Sequence, residues 1–149
     1  TFDLDEIRSE FGLEELDAAD DEDYETHYNT AVAYQEMGLT EEAIREYQDA
    51  ISLVQPNDGT RRFFQCANLL GHCFMQQGMA KLALKWFERA LESTVLTDEE
   101  KQGLWYELAD AHEADGNPEK ASRYLEQVYA ENVNFRDVSE RVRNMTVAG

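Results

Sequence analysis

The most informative part of the sequence is residues 30–50, TAVAYQEMGLTEEAIREYQDA. Apolar residues recur at helical spacing on both sides of Gly38, and glycine is the residue type that most often ends a helix. Two further segments repeat this arrangement around Gly78 and Gly116. The sequence therefore predicts three pairs of helices, each pair joined at a glycine.

The three segments carry small and large residues at matching positions. Before the glycines stand Thr30-Ala31, Leu70-Gly71 and Leu108-Ala109, then Tyr34, Phe74 and His112; after them stand Ala43, Ala83 and Ala121, then Tyr47, Phe87 and Leu125, then Ala50, Ala90 and Val128. Small residues let antiparallel helices approach closely, and large ones fill the space beside them. Because one pair cannot bury its apolar face alone, neighbouring pairs are expected to stack and share a core.

This pattern resembles the tetratricopeptide repeat, which reads Trp-x2-Leu-Gly-x2-Tyr, then Ala-x3-Phe-x2-Ala and Pro. The third copy has Trp105, Leu108 and Ala109 at the spacing of the first motif. The glycines lie 40 and then 38 residues apart, against a family period of about 34, so linkers or first helices must be longer. Of the closing prolines only Pro56 survives, one place late. The resemblance implies an all-α fold, a right-handed α-solenoid of three helical hairpins plus a C-terminal capping helix.

We expect three regions: an acidic amphipathic leader and linker at residues 1–23, three repeats at about 24–57, 60–96 and 98–133, and a capping helix and tail at 134–149. Helices are predicted near residues 24–38, 40–54, 60–77, 79–94, 98–115 and 118–131. Thr97 and Glu100 have the spacing of a capping box before the fifth of these. A seventh helix, from about Phe135 to Met145, would have Phe135, Val138, Val142 and Met145 on one face and Arg136, Glu140, Arg141 and Arg143 away from it.

The charge of the chain is −19, and residues 1–25 alone contain twelve acidic residues against Arg8. This balance argues against nucleic acid and against anionic membranes as partners. No apolar run is long enough to span a bilayer. Because the sequence begins with Thr1 and not with methionine, we expect it to be part of a longer protein.

Cys66 and Cys73 lie seven residues apart on one predicted helix, about 10 Å along its axis, which is beyond disulfide reach. They are expected to be buried free thiols, and this favours the cytoplasm. No spacing typical of a metal site occurs, so neither a metal nor a cofactor is predicted.

In the leader, large apolar residues stand among the acidic ones. The candidates for a docking segment are Phe2, Leu4, Ile7 and Phe11. They either belong to a flexible leader, or form a short helix that docks on this domain or on a second copy, which would give a homodimer. The run Asp17 to Asp23 is interpreted as a solvated linker.

The resemblance also implies a concave groove, lined by the first helix of each repeat, that takes an extended peptide or a helix. The positions carried over are Tyr28, Asn29, Val32, Gln35 and Glu36, then Gln65, Asn68, Leu69, His72 and Met75, then Tyr106, Glu107, Asp110 and Glu113. Their chemistry suits a protein or peptide partner with apolar side chains and a basic end. Capture of a carboxylate-ended chaperone tail is not expected, because Tyr28, Val32, Gly103 and Glu107 replace the polar and basic residues that it requires.

An enzyme is the remote alternative. Glu107, Asp110 and Glu113 could form an acid-base or metal cluster, but such a row is more typical of a solvated helix face. No phosphate loop or nucleophile elbow occurs. The sequence therefore predicts a protein-interaction scaffold without catalytic residues. By analogy with bacterial relatives, it would work within a multi-component assembly such as pilus or secretion machinery.

Overall fold

The computed structural model describes the backbone of residues 13–148 and the side chains of residues 21–145. The helices in this part are α1 (Leu13–Glu36), α2 (Thr40–Ile51), α3 (Arg62–Gln76), α4 (Ala80–Ala90), α5 (Asp98–Ala114), α6 (Pro118–Glu131) and α7 (Val138–Ala148). No strand occurs among these residues, and none of their helices has the length and apolar character needed to cross a membrane. The chain divides into an N-terminal unit, Thr1–Val54, and a C-terminal unit, Gln55–Gly149. The proposed docking segment of Phe2, Leu4, Ile7 and Phe11 lies outside the described residues.

Three helical hairpins, α1 with α2, α3 with α4 and α5 with α6, share one type of turn. Gly38, Gly78 and Gly116 have φ of 77°, 72° and 76°, in the left-handed region that favours glycine. In each turn the residue after the glycine donates its backbone N–H to a carbonyl five residues earlier, at 2.8–2.9 Å. This bond satisfies a carbonyl that the helix end leaves without a partner. The predicted glycine-joined helix pairs are confirmed.

Close packing within the hairpins follows the small and large residues of the pattern. In the N-terminal unit Ala31, Ala43 and Tyr47 are fully buried. In the C-terminal unit Gly71 faces the fully buried ring of Phe87 so closely that a Cβ at Gly71 would lie 2.4 Å from a ring carbon. Only glycine allows α3 and α4 to approach to this distance.

The first helix is longer than the sequence pattern predicted. Helix α1 begins at Leu13, whereas it was expected to begin at Tyr24. It includes the run Asp17 to Asp23, which was interpreted as a solvated linker. No glycine or proline interrupts Leu13–Glu36. The helix therefore continues through the acidic run, and the predicted helix start was wrong.

The other boundaries agree to within a few residues, except that α2 and α4 end at Ile51 and Ala90, earlier than predicted. Helix α5 begins with the predicted capping box: the Thr97 hydroxyl accepts from the Glu100 N–H, and the Thr97 N–H donates to the Glu100 carboxylate. Both cysteines are fully buried thiols, as predicted. Burial raises the pKa of the Cys73 thiol to about 11, which leaves it unreactive at neutral pH.

The last helix packs on α6, and Val138 and Phe135 anchor its start in the core of the C-terminal unit. Helix α7 begins at Val138, three residues later than expected. Arg141 was predicted to face away from the packing surface, and this was wrong. Its guanidinium lies over the ring of Tyr106 and donates to Asp110 at 2.7 Å and to Glu113 at 2.8 Å. A planar guanidinium can stack on an aromatic ring and bind two carboxylates at once, so it packs where a purely hydrophobic pattern predicts solvent.

Candidate functional site

The C-terminal unit contains a cleft of about 450 Å³. Two helices, α3 and α5, and the connector of residues 132–136 form its walls. The lining residues are Phe64, Asn68, His72, Glu99, Glu100, Gly103, Leu104, Glu107, Asn132, Asn134, Phe135 and Arg136. Both helices are the first of their hairpins, so this is the surface on which the sequence placed the groove.

The connector wall is held in place by local polar contacts and one aromatic anchor. The Asn132 amide donates to the buried Gln102 at 3.1 Å, and the Asn134 N–H donates to the Asn132 side chain at 3.1 Å. Phe135 is buried, with its ring centroid 5.9 Å from that of Tyr106. Gly103 on α5 presents no side chain, and the nearest atom to a Cβ there would be the Phe135 ring at 3.9 Å. The cleft floor is therefore open beside the aromatic anchor.

Glu107 is the most enclosed acidic group of the cleft, with 16% of its side chain exposed. Arg136 donates to its carboxylate at 3.0 Å, and the His72 Nδ1 lies 4.0 Å from it. Of the other two lining carboxylates, Glu100 pairs with Arg61 and caps α5, and Glu99 is exposed. Apolar surface from Phe64, Leu104 and Phe135 lies beside these groups, so the cleft combines apolar and anionic chemistry.

Some predicted groove residues meet in this cleft and others do not. Asn68 and His72 line it, together with Glu107 from the wider set. Gln65 is exposed, and Leu69 and Met75 are half-buried, but none of these three lines the cleft.

Tyr106 and Asp110 were predicted to face a ligand, but the structure uses them to hold the C-terminal segment. Tyr106 is 9% exposed and donates its hydroxyl to Asp137, while Asp110 binds Arg141. Burial and the bond to Asp137 raise the pKa of Tyr106. The sequence reading placed no side chain opposite these two residues, and therefore left them available.

The N-terminal unit carries the other predicted positions. Asn29 is exposed and Val32 is half-buried. Tyr28 packs its ring against Tyr24 and Tyr47, and Gln35 accepts a hydrogen bond from the Tyr47 hydroxyl at 2.6 Å. Tyr28 and Gln35 thus contribute to the packing of α1 on α2.

One group of metal-ligand type was missed because its members lie on different helices. His27 of α1 and Glu46 and Asp49 of α2 place their ligand atoms within 4.8 Å of one another. A direct 2.7 Å hydrogen bond joins the His27 Nδ1 to Glu46, and this bond raises the pKa of His27. The direct hydrogen bond, which becomes an ion pair when His27 is protonated, accounts for their proximity.

Comparison with known families agrees with the hairpin geometry. Two family models, both described as Tetratricopeptide repeat, match residues 22–94 and 104–139. The chain belongs to the tetratricopeptide repeat family. A comparison with curated proteins finds no match.

Solved structures of other tetratricopeptide repeat proteins share the fold. The N-terminal domain of stress-induced protein-1 from C. elegans matches with a TM-score of 0.71 at 13% identity, covering 83% of this chain and 94% of that one. The TPR domain of Arabidopsis FLU gives 0.64 at 18%, covering 75% and 96%. The Yersinia enterocolitica type III secretion translocator chaperone SycD gives 0.59 at 22%, covering 85% and 89%. The predicted fold class, an all-α helical solenoid, is confirmed.

The tetratricopeptide repeat is a non-enzymatic protein-interaction fold, so the chain is a protein-interaction scaffold whose partners are proteins or peptides. Of the nine lining residues that the sequence reading did not assign to the groove, five lie on α3 and α5, and four lie on the connector: Asn132, Asn134, Phe135 and Arg136. The family pattern covers helix positions only, and so gave no signal for them.

Proposed function

We propose that this protein binds a peptide segment of a partner in the cleft of its C-terminal unit, with a basic side chain of the partner near Glu107 and Glu99. The observation that carries the proposal is the position of a largely enclosed carboxylate, Glu107, beside the apolar surface of Phe64, Leu104 and Phe135. Apolar contact supplies most of the affinity in such sites, and charge complementarity selects the partner.

The charges of the cleft also disfavour a carboxylate-ended tail. Three carboxylates, Glu99, Glu100 and Glu107, line the cavity and outnumber the one lining guanidinium, that of Arg136. A carboxylate placed among them would be repelled, whereas an ammonium or guanidinium would be attracted. This supports a partner with a basic residue.

Three wider expectations remain proposals. Self-association through the leader concerns residues outside the described part of the chain. A cytoplasmic location is supported by the two buried thiols, which form no disulfide with each other. A role in a bacterial multi-component assembly is supported by family analogy alone.

Selection from a random peptide display library tests the proposed function. We expect enriched peptides to combine aromatic or aliphatic residues with arginine or lysine. Their affinity, measured by fluorescence anisotropy, should fall about tenfold in Glu107→Gln, equivalent to about 1.4 kcal/mol. Glu126→Gln is the matched control, since Glu126 is exposed on α6 and does not line the cleft.

Peptides without cationic residues, or equal weakening by both substitutions, would overturn the proposal. The alternative, self-association through the leader, is tested separately by light scattering, which measures the solution mass of the chain with and without residues 1–16. A dimer that becomes a monomer on truncation would show that the leader mediates self-association.

A further inference from the structure

Arg136 has an unusual backbone conformation and an unusual position. Among the described residues it is the only one other than glycine with positive φ, at 43°. Its guanidinium lies over the rings of Tyr106 and Phe135, at 4.8 and 5.1 Å from their centroids, and donates to Glu107 at 3.0 Å. Despite these contacts, 51% of its side chain is exposed.

These contacts are the ones that a cationic side chain of a bound peptide would make in the same cleft. A guanidinium or ammonium from a partner would bind the Glu107 carboxylate and lie against the same aromatic surface. Arg136 therefore fills, from within the chain, the place that the proposed function assigns to the partner's basic residue.

The two arginines that contact Tyr106 differ in how firmly they are held. Arg141 has two carboxylate partners and is 19% exposed, so it serves as a fixed part of the packing. Arg136 has one carboxylate partner, Glu107, and is half-exposed, and ion pairs of this kind contribute little free energy. Arg136 can therefore leave Glu107 for solvent without disturbing the anchor at Phe135.

Glu107 has the opposite character. It is largely enclosed, and an enclosed carboxylate without a cationic partner is costly. Arg136 compensates it while the cleft is empty, and an incoming cation compensates it when the cleft is filled. The charge of Glu107 is thus neutralised in both the empty and the filled cleft, and Glu107 stays ionised when one cation replaces the other.

We infer that Arg136 is an internal competitor, which occupies Glu107 in the empty cleft and is displaced by an arginine or lysine side chain of the partner peptide. This inference rests on the proposed function and adds to it a regulatory residue. Only ligands that supply a cation of their own can take the place of Arg136, so the exchange raises selectivity while lowering affinity.

Arg136→Asn is the appropriate test variant, because asparagine tolerates the left-handed conformation and so keeps the turn. Arginine-containing peptides from the selection should bind it about three- to tenfold more tightly than they bind the unmodified protein. Arg143→Asn is the matched control, since Arg143 is exposed on α7, does not line the cleft, and its replacement makes the same change in net charge. In the Glu107→Gln background the Arg136→Asn substitution should have no further effect.

Three results would overturn the competitor role: equal tightening in Arg136→Asn and Arg143→Asn, a full effect in the Glu107→Gln background, or weaker binding in Arg136→Asn. The last would show that Arg136 itself contacts the ligand. If the selection yields no cationic peptides, the proposed function fails, but the exchange is still tested by titrating N-acetyl-arginine amide while following the side-chain NMR signal of Arg136. A shift that depends on Glu107 supports displacement, and its absence refutes displacement.

Discussion

Replacing Gly71 with alanine tests the packing behind the cleft. The new Cβ would lie 2.4, 2.6 and 2.7 Å from three ring carbons of Phe87, whereas ordinary contacts begin at 3.4 Å. The ring would have to retreat by about 1 Å. It has little room to do so, because Phe87 is fully buried and the His72 imidazole packs edge-on against it, with the two ring centroids 5.4 Å apart.

Two opposing effects set the size of the change. Overpacking a close-packed core costs about 1–3 kcal/mol, and three contacts below 3 Å place Gly71 at the upper end of that range. Alanine in place of glycine within a helix returns about 1 kcal/mol. The net loss of folding free energy is therefore about 2 kcal/mol. For a unit the size of Gln55–Gly149 this lowers Tm by about 10 °C.

Far-UV circular dichroism during heating measures the effect, with Gly103→Ala as the matched control. Gly103 also lies inside a helix, but its Cβ would meet only the Phe135 ring, at an ordinary 3.9 Å. Gly103→Ala should therefore gain up to about 1 kcal/mol and raise Tm by a few degrees. A Gly71→Ala variant that melts at or above the unmodified protein would refute the close approach of α3 and α4.

Two further predictions concern ion pairs. Arg141→Met removes two hydrogen bonds to carboxylates and should lower the free energy of unfolding in urea by about 1–2 kcal/mol, a loss that is limited because water can hydrate Asp110 and Glu113 in the variant. Arg143→Met is the control and should change that free energy by less than about 0.5 kcal/mol. Equal losses in the two variants would show that the bonds of Arg141 do not stabilise the fold. The hydrogen bond to Glu46 raises the folded-state pKa of His27 above its ordinary 6.5, so the pair stabilises the fold fully below 6.5 and the contribution disappears as pH rises through the raised value. The difference in urea midpoint between the unmodified protein and His27→Gln should shrink as the pH rises from 6.5 through the raised pKa of His27. A difference that stays constant with pH would show that the pair of His27 and Glu46 does not form in solution.

The helical hairpins were predictable because their determinants are local. Each turn needs one residue with positive φ, and each helix carries its small and large residues at fixed spacing around Gly38, Gly78 and Gly116. The capping box at Thr97 is likewise contained within four residues. Such features can be identified without knowing what else the helix contacts.

The start of α1 could not be predicted from apolar periodicity, because the acidic run from Asp17 to Asp23 has none. No glycine or proline stops the helix there. Periodicity detects only helices that bury a face.

The cleft was only partly predictable, for a different reason. Asn68, His72 and Glu107 follow from the family pattern, whereas Arg136 reaches Glu107 across 29 residues of sequence. That pairing depends on how Phe135 seats against Tyr106, which is tertiary packing.

The uniform hairpin turns have a consequence for how such a site can change during evolution. Each hairpin closes in three residues, 37–39, 77–79 and 115–117, whereas the connectors 52–61, 91–97 and 132–137 differ in length from one another. The last of these connectors supplies one wall of the cleft. Insertions and deletions there can remodel ligand specificity while the hairpins keep their geometry, so that new partners can be acquired without redesigning the scaffold.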